Sequence, residues 1–70
     1  MTVYDFCSLF TGPEFQNVIV DDVDETSGTM SVFEGSASQL MASKYADVEV
    51  ESIDTMFSSS NSITINICSN

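Results

Sequence analysis

The stretch that decides the fold is NVIVDDVDETSGTMSVFEG, Asn17 to Gly35. Its two ends are rich in β-branched and aromatic residues, which are typical of strands, and the DETSG between them is typical of a turn. Gly28 can adopt the positive φ that such a turn needs. The stretch therefore predicts a β-hairpin. Four acids lie in or beside its turn and give it an acidic tip: Asp21, Asp22, Asp24 and Glu25.

A second hairpin is predicted from the last third of the chain. DVEVESIDTMF, residues 47–57, alternates between apolar positions that would face the core and acidic positions that would face water: Val48 and Val50 against Glu49 and Glu51. The alternation slips at Ser52, where a β-bulge would return Ile53 to the inner face. ITINI, residues 63–67, closes the hairpin with its isoleucines on one face.

Two short helices complete the prediction. TVYDFCSLF, residues 2–10, has apolar residues at the i, i+3, i+4, i+7 spacing of one buried helix face, with Thr2 and Asp5 as a capping box. SASQLMASKYA, residues 36–46, predicts a helix or helical turn that is capped by one of its first two serines.

The predicted fold is a single acidic α+β domain over residues 1–70, in the order helix, hairpin, short helix, hairpin. Its one antiparallel sheet of about four strands would have the first helix across one face and water on the other. The strand order is left open. The predicted core combines the apolar positions of all elements: Val3, Phe6, Phe10, Val18, Val20, Val32, Leu40, Tyr45, Val48, Val50, Ile63, Ile65 and Ile67.

The charge of the chain excludes several classes of function. The chain has eleven carboxylates and a single basic side chain, Lys44, which give it a formal net charge of −10. It has no histidine. The commonest general base is therefore absent, and no arginine is present to clamp a phosphate. We expect no enzyme activity and no cofactor. Direct binding to nucleic acid or to an anionic membrane is disfavoured, because both surfaces repel a chain of this charge.

Metal binding and disulfide formation are also disfavoured. When DDVDETSG is aligned from Asp22 on the calcium-loop pattern, Ser27 and Phe33 fall where that pattern needs a glycine and a glutamate. We expect no dedicated metal site. Cys7 and Cys68 do not make a disulfide framework, and the N-terminus lacks the basic segment of a secretory signal. We therefore expect two free thiols and a cytoplasmic location.

The segment MSVFEGSASQLMASKYADVEVESIDTMFSSSNSITINI, Met30 to Ile67, resembles a group of small uncharacterised acidic proteins encoded on phages and mobile elements of Gram-positive bacteria. The similar features are the VFEG strand, the Tyr45 before the VEVESID strand, and the closing ITINI. The resemblance implies a setting inside a host cell and brings no catalytic residues. In charge and size, the chain also resembles the nucleic-acid mimics that block host defence nucleases, including anti-CRISPR proteins.

These observations predict a non-catalytic inhibitor that binds a basic, nucleic-acid-binding host protein. Acids at alternate positions of one strand lie roughly 6–7 Å apart, and acids on neighbouring strands raise that density toward that of phosphates. The predicted partner-binding residues are the acids of the hairpin tip and of the sheet: Asp21, Asp22, Asp24, Glu25, Glu34, Glu49, Glu51 and Asp54.

The alternative is a small interaction or scaffold module that binds through an apolar patch or a sheet edge, with the charge serving solubility only. The chain has more aromatic and methionine side chains than one small core needs, and the candidates are Phe15, Met41, Met56 and Phe57. Both a monomer and a homodimer are compatible with the sequence. A salt-insensitive homodimer would indicate an apolar interface, and a salt-sensitive complex with a basic protein would indicate mimicry.

Overall fold

A computed structural model describes residues 1–24, 28–54 and 62–68. Its elements are α1 (Val3–Cys7), β1 (Asn17–Asp24), β2 (Gly28–Ser36), α2 (Ala37–Met41), β3 (Val50–Asp54) and β4 (Ser62–Ile67). The four strands form one sheet in the order β2-β1-β4-β3, and the two short helices pack together on one side of it. The architecture is α+β.

The sheet is mixed, which corrects the prediction of an entirely antiparallel one. β1 pairs antiparallel with β2, and β3 pairs antiparallel with β4. The two central strands, however, run parallel, with Val18 beside Ile63 and Val20 beside Ile65. β2 and β3 consequently run in the same direction. The segment between them, residues 37–49, must therefore cross from one end of the sheet to the other, as a connection between parallel strands does.

The first helix begins as predicted and ends earlier. Thr2 Oγ1 accepts a hydrogen bond from the Asp5 amide (3.1 Å), and Asp5 Oδ2 accepts one from the Thr2 amide (3.2 Å), which completes the predicted capping box. The helix ends at Cys7 and does not reach Phe10. The last two amides of that segment instead donate to carbonyls three residues back, which is the tighter bonding of a helix end.

The second helix has a capping box of the same kind. Ser36 is the N-cap, and its hydroxyl accepts a hydrogen bond from the Gln39 amide at 3.1 Å. The Gln39 side chain returns a bond to the Ser36 amide, also at 3.1 Å. The cap fixes α2 directly at the end of β2, so that Leu40 is buried over the sheet.

The core lies between the helices and the inner face of the sheet. Nine side chains are buried there: Val3, Phe6, Cys7, Val18, Val20, Ala37, Leu40, Ile65 and Ile67. Every predicted core residue is either in this set or packs half-buried against it. The register prediction for β4 is confirmed, because Ile65 and Ile67 are buried and Ile63 packs against the core.

Each edge strand contains a β-bulge. In β2 the register shifts so that Val32 is the extra residue, and it packs half-buried against the core together with Phe33. In β3 the extra residue is Glu51, one position before the predicted slip. Ile53 then pairs with Ile65 on the inner face, as predicted. It is nevertheless 47% exposed, because β3 is an edge strand.

No helix in the described part of the chain is both long enough and apolar enough to cross a membrane.

Candidate functional site

One face of the sheet lies opposite the helices and the buried core, and we call it the open face. Its side chains form rows across the four strands, because directly paired residues point to the same side of a sheet. One row contains Ser31, Asp21, Asn66 and Ser52. The adjacent row contains Glu34, Ile19, Thr64 and Asp54. The open face is therefore a mostly polar surface of short side chains.

Cross-strand hydrogen bonds hold these side chains in place. Ser31 Oγ donates to Asp21 Oδ1 at 2.7 Å, Asn66 Nδ2 donates to Ser52 Oγ at 3.0 Å, and Asn17 Nδ2 donates to Ser62 Oγ at 3.0 Å. The first of these bonds has an ionised acceptor, which makes it the strongest type of the three. The carboxylate of Asp21 is thus held at a fixed position between β1 and β2.

Three of the predicted partner-binding acids lie on the open face: Asp21, Glu34 and Asp54. Glu34 and Asp54 occupy the same row on opposite edge strands. Since neighbouring strands are about 4.8 Å apart, three spacings separate these two residues by roughly 14 Å. Asp21 lies in the next row, diagonal to Glu34, at a distance of roughly 7–8 Å.

The structure places the other predicted acids elsewhere. Asp22 is on the inner side of β1, beside Ile67 of β4. Asp24 is the last residue of β1, and Glu51 is the exposed bulge residue of β3. Glu25 lies outside the described residues. Of the eight predicted partner-binding acids, three therefore lie on the open face, and Glu51 lies on an edge strand beside it.

Glu49 has a structural partner. The ammonium group of Met1 donates to Glu49 Oε2 at 2.9 Å, and this hydrogen bond raises the pKa of the ammonium. The Met1 carbonyl accepts from the Val50 amide at 2.9 Å, and the Val3 amide donates to the Val48 carbonyl at 2.8 Å. The N-terminal segment thus runs beside the start of β3, and Glu49 fastens it there.

The single basic side chain, Lys44, lies beside a ring that packs against the core. The ammonium nitrogen of Lys44 is 5.3 Å from the centroid of the Tyr45 ring, within the range of a cation–π contact. Tyr45 packs half-buried against the core, which lies on the inner face. The two rows of the open face therefore contain three carboxylates and no lysine.

Phe15 is the most exposed large apolar side chain of the described chain, at 86%. It ends a turn in which its amide donates to the Gly12 carbonyl at 3.0 Å. The carbonyls of Pro13 and Gln16 accept from the first amides of α2, at 3.1 and 2.8 Å. The turn is thus fixed to the fold while its aromatic ring points into water.

The other apolar candidates differ from Phe15. Met41 packs half-buried against the core and belongs to it. Met56 and Phe57 lie outside the described residues. Of the four candidates for an apolar patch, Phe15 is therefore the one that the described structure places on the surface.

Neither thiol has the surroundings of a nucleophile or of a metal ligand. Cys7 is buried and Cys68 is exposed, and no disulfide joins them. Burial raises the pKa of the Cys7 thiol, so that its reactive thiolate form is disfavoured. In the described ranges, no group of three His, Cys, Asp or Glu side chains is placed to hold a metal ion.

No protein-family model, curated protein or solved structure matches this chain. The resemblance to phage-encoded and mobile-element proteins therefore stays a prediction. What the fold and the site define is a small acidic α+β domain whose mixed sheet leaves one polar face open.

Proposed function

We propose that this protein is a non-catalytic inhibitor that binds the basic nucleic-acid-binding surface of a host protein, in the manner of anti-CRISPR proteins that mimic nucleic acid. The observation that carries the proposal is the open face, which displays Asp21, Glu34 and Asp54, while the one lysine of the sequence lies against the Tyr45 ring. The partner is a basic protein of the host cytoplasm, such as a defence nuclease complex. The protein itself binds neither nucleic acid nor membrane.

The inhibition requires no chemical step. Carboxylates of the open face take positions that phosphates occupy in the partner's natural ligand, and the two ligands compete for the same lysine and arginine side chains. A net charge of −10 on 70 residues also steers the protein toward a positive surface and raises the rate of association. The hydrogen bond from Ser31 to Asp21 supports this role, since a side chain that is already oriented loses less entropy on binding.

Single acids contribute little to such an interface. An exposed ion pair is worth roughly 0–1 kcal/mol, so the affinity must come from several pairs acting together. Glu51 lies at the edge of the surface and can add to it, whereas Glu49 must exchange the Met1 ammonium for a partner cation. The acids of the open face are therefore the first to test.

The test compares two double variants of equal charge. Glu34→Gln with Asp54→Asn removes two charges from the open face, and Glu14→Gln with Asp47→Asn removes two from exposed loop positions. The partner is first captured from host lysate with the parent protein and identified. Displacement of a fluorescent oligonucleotide from that partner is then measured at several salt concentrations.

The open-face variant should displace the oligonucleotide about two- to thirtyfold less well at low salt, since two exposed pairs worth about 0.2–1 kcal/mol each are lost. The loop variant should act like the parent to within about twofold. Equal behaviour of both double variants and the parent, with an unchanged salt dependence, would mean that the open-face acids serve solubility only.

A second candidate function is supported by Phe15. An aromatic ring that is 86% exposed on a hydrogen-bonded turn is suited to anchor an interaction module in an apolar pocket of a protein partner. Phe15→Ala separates the two candidates. Loss of the complex on this substitution, with the open-face variant unaffected, would assign the interface to the apolar anchor and the charge to solubility.

A further inference from the structure

The outer edge of β2 is a surface that the open face does not include. β2 is nine residues long and stands at the end of the sheet, so one side of its backbone has no neighbouring strand. No backbone hydrogen bond from another described segment reaches that side. An uncovered edge of this kind presents a row of amide and carbonyl groups that can pair with an extended chain.

The other edge of the sheet is treated differently. The start of β3 is accompanied by the N-terminal segment, in which Thr2 bridges to Glu49 and the Met1 carbonyl accepts from the Val50 amide at 2.9 Å. The fold therefore closes part of one edge with its own backbone. The β2 edge has no such cover within the described chain.

The side chains of β2 give this edge two distinct faces. Ser31 and Glu34 point to the open face, in line with their partners on β1. Met30 points to the inner side, where it is paired with Asp22 and is 66% exposed. The usual protection of an edge by lysine or proline is absent from residues 28–36, and the protective features are the bulge at Val32 and the charge of Glu34.

The bulge divides β2 into two regular parts, residues 28–31 and 33–36, and only the first part is exposed at every residue. A strand added there would place alternate side chains beside Ser31 and beside Met30. A long cationic side chain next to Ser31 could reach the carboxylates of Asp21 and Glu34. An apolar side chain on the opposite face would cover Met30.

The net charge of the protein indicates which kind of segment can pair with the β2 edge. A second copy of the chain would bring a further net charge of −10 to the same edge, and this repulsion opposes self-pairing. We infer that the β2 edge accepts, as a fifth strand, an extended segment of a partner protein in which basic and apolar side chains alternate. The inference rests on the proposed function for the positive charge of the partner, but not for the mode of docking.

The test uses a synthetic peptide of about six residues, the usual length of a strand, in which lysine and valine alternate. Two further versions are N-methylated, one on all lysines and the other on all valines. In an added strand, alternate amides point at the neighbouring strand and the others point away. N-methylation of one set therefore removes the pairing hydrogen bonds and leaves charge and side chains unchanged.

Binding to the ¹⁵N-labelled protein is followed by NMR. The parent peptide should shift the amides of residues 28–31 and slow their hydrogen exchange. One N-methylated version should bind at least about tenfold more weakly, as expected for the loss of several hydrogen bonds, and the other should stay within about twofold of the parent peptide. Equal effects of the two versions, or no binding of the parent peptide, overturn the inference.

A matched pair of protein variants locates the edge. Met30→Lys and Ile53→Lys each place one positive charge at an exposed apolar position on the inner side of an edge strand. Met30→Lys should weaken peptide binding by about tenfold and Ile53→Lys by less than about threefold, since only the first charge adjoins the added strand. Equal weakening by both variants overturns the assignment to β2.

These outcomes separate the inference from the proposed function. A peptide that binds equally well in both N-methylated forms, and loses affinity with salt, leaves the proposed function supported and the strand addition wrong. The proposed function fails instead when the open-face variant competes like the parent for the identified partner. Concentration-dependent protection of residues 28–31 in the protein alone would assign the edge to a second copy and overturn the basic partner.

Discussion

Glu34 and Asp54 lie in one row of the open face, at opposite edges of the sheet, with Ile19 and Thr64 between them. Sequence places them twenty positions apart in two different β segments. Only the parallel pairing of β1 with β4 brings their strands into one sheet in this order. This relationship makes the acidic surface testable, because two substitutions remove its two ends.

The bond between Ser31 and Asp21 should contribute to stability. Ser31→Ala removes the donor of the 2.7 Å hydrogen bond to Asp21 and should lower the free energy of unfolding by about 0.5–1.5 kcal/mol. Ser31→Thr keeps the hydroxyl and should stay near the parent. Urea denaturation of the three proteins measures the difference. If the alanine and threonine variants are equally stable, the bond adds nothing to the fold.

The core should be sensitive to the loss of a single buried side chain. Leu40 is fully buried, and Leu40→Ala should cost about 2–5 kcal/mol. A domain of this size has a stability of only about 4–10 kcal/mol, so that much of it would be lost. Leu9→Ala is the matched control, because Leu9 is 68% exposed and its truncation should change stability by less than about 0.5 kcal/mol. Circular dichroism during urea titration gives both values, and equal losses would contradict the placement of Leu40.

Stability should fall in alkaline solution because two groups, the Met1 ammonium and the Cys7 thiol, hold their protons more tightly in the folded state. The hydrogen bond to Glu49 raises the pKa of the Met1 ammonium from its ordinary value of 8.0, and burial raises the pKa of the Cys7 thiol from 9.0. In both cases the folded state holds its proton more tightly than the unfolded state. The contribution is therefore complete below the ordinary pKa and is lost as the pH rises through the raised one.

Two variants separate these contributions. Glu49→Gln should reduce the loss of unfolding free energy that begins near pH 8.0. Cys7→Ala should reduce the loss that begins near pH 9.0. The comparison uses the slope of unfolding free energy against pH for each variant, because Cys7→Ala also lowers stability at neutral pH by removing buried volume. Unchanged slopes in both variants would show that neither group is linked to folding.

Salt should stabilise the free protein. With a net charge of −10 and one lysine, the repulsion among carboxylates opposes compaction. Raising the ionic strength from about 0.01 M to about 0.15 M shortens the screening length from about 30 Å to about 8 Å and should raise the melting temperature. The Glu34 and Asp54 double variant should show a smaller rise. A melting temperature that falls or does not change with salt would contradict the dominance of repulsion.

Much of the fold could be predicted because its signals are local. The capping box of Thr2 and Asp5, the inward face of β4 and the set of core residues follow from patterns within a few neighbouring positions. The bulge in β3 was predicted within one residue for the same reason, since the alternation of apolar residues visibly slips there. The net charge, which supports the proposed function, needs only the composition.

The sequence by itself thus determined the approximate position of each strand, how the helices begin and which side chains join the core, whereas β3 begins at Val50 and not at residue 47. The tertiary structure alone decided that β1 and β4 run parallel, that Glu49 binds the Met1 ammonium, and that β2 lies at an edge of the sheet. The physical reason is that these features depend on the path of residues 37–49 across the sheet. Such a path is selected by the burial of all elements together, and no local pattern of residues encodes it.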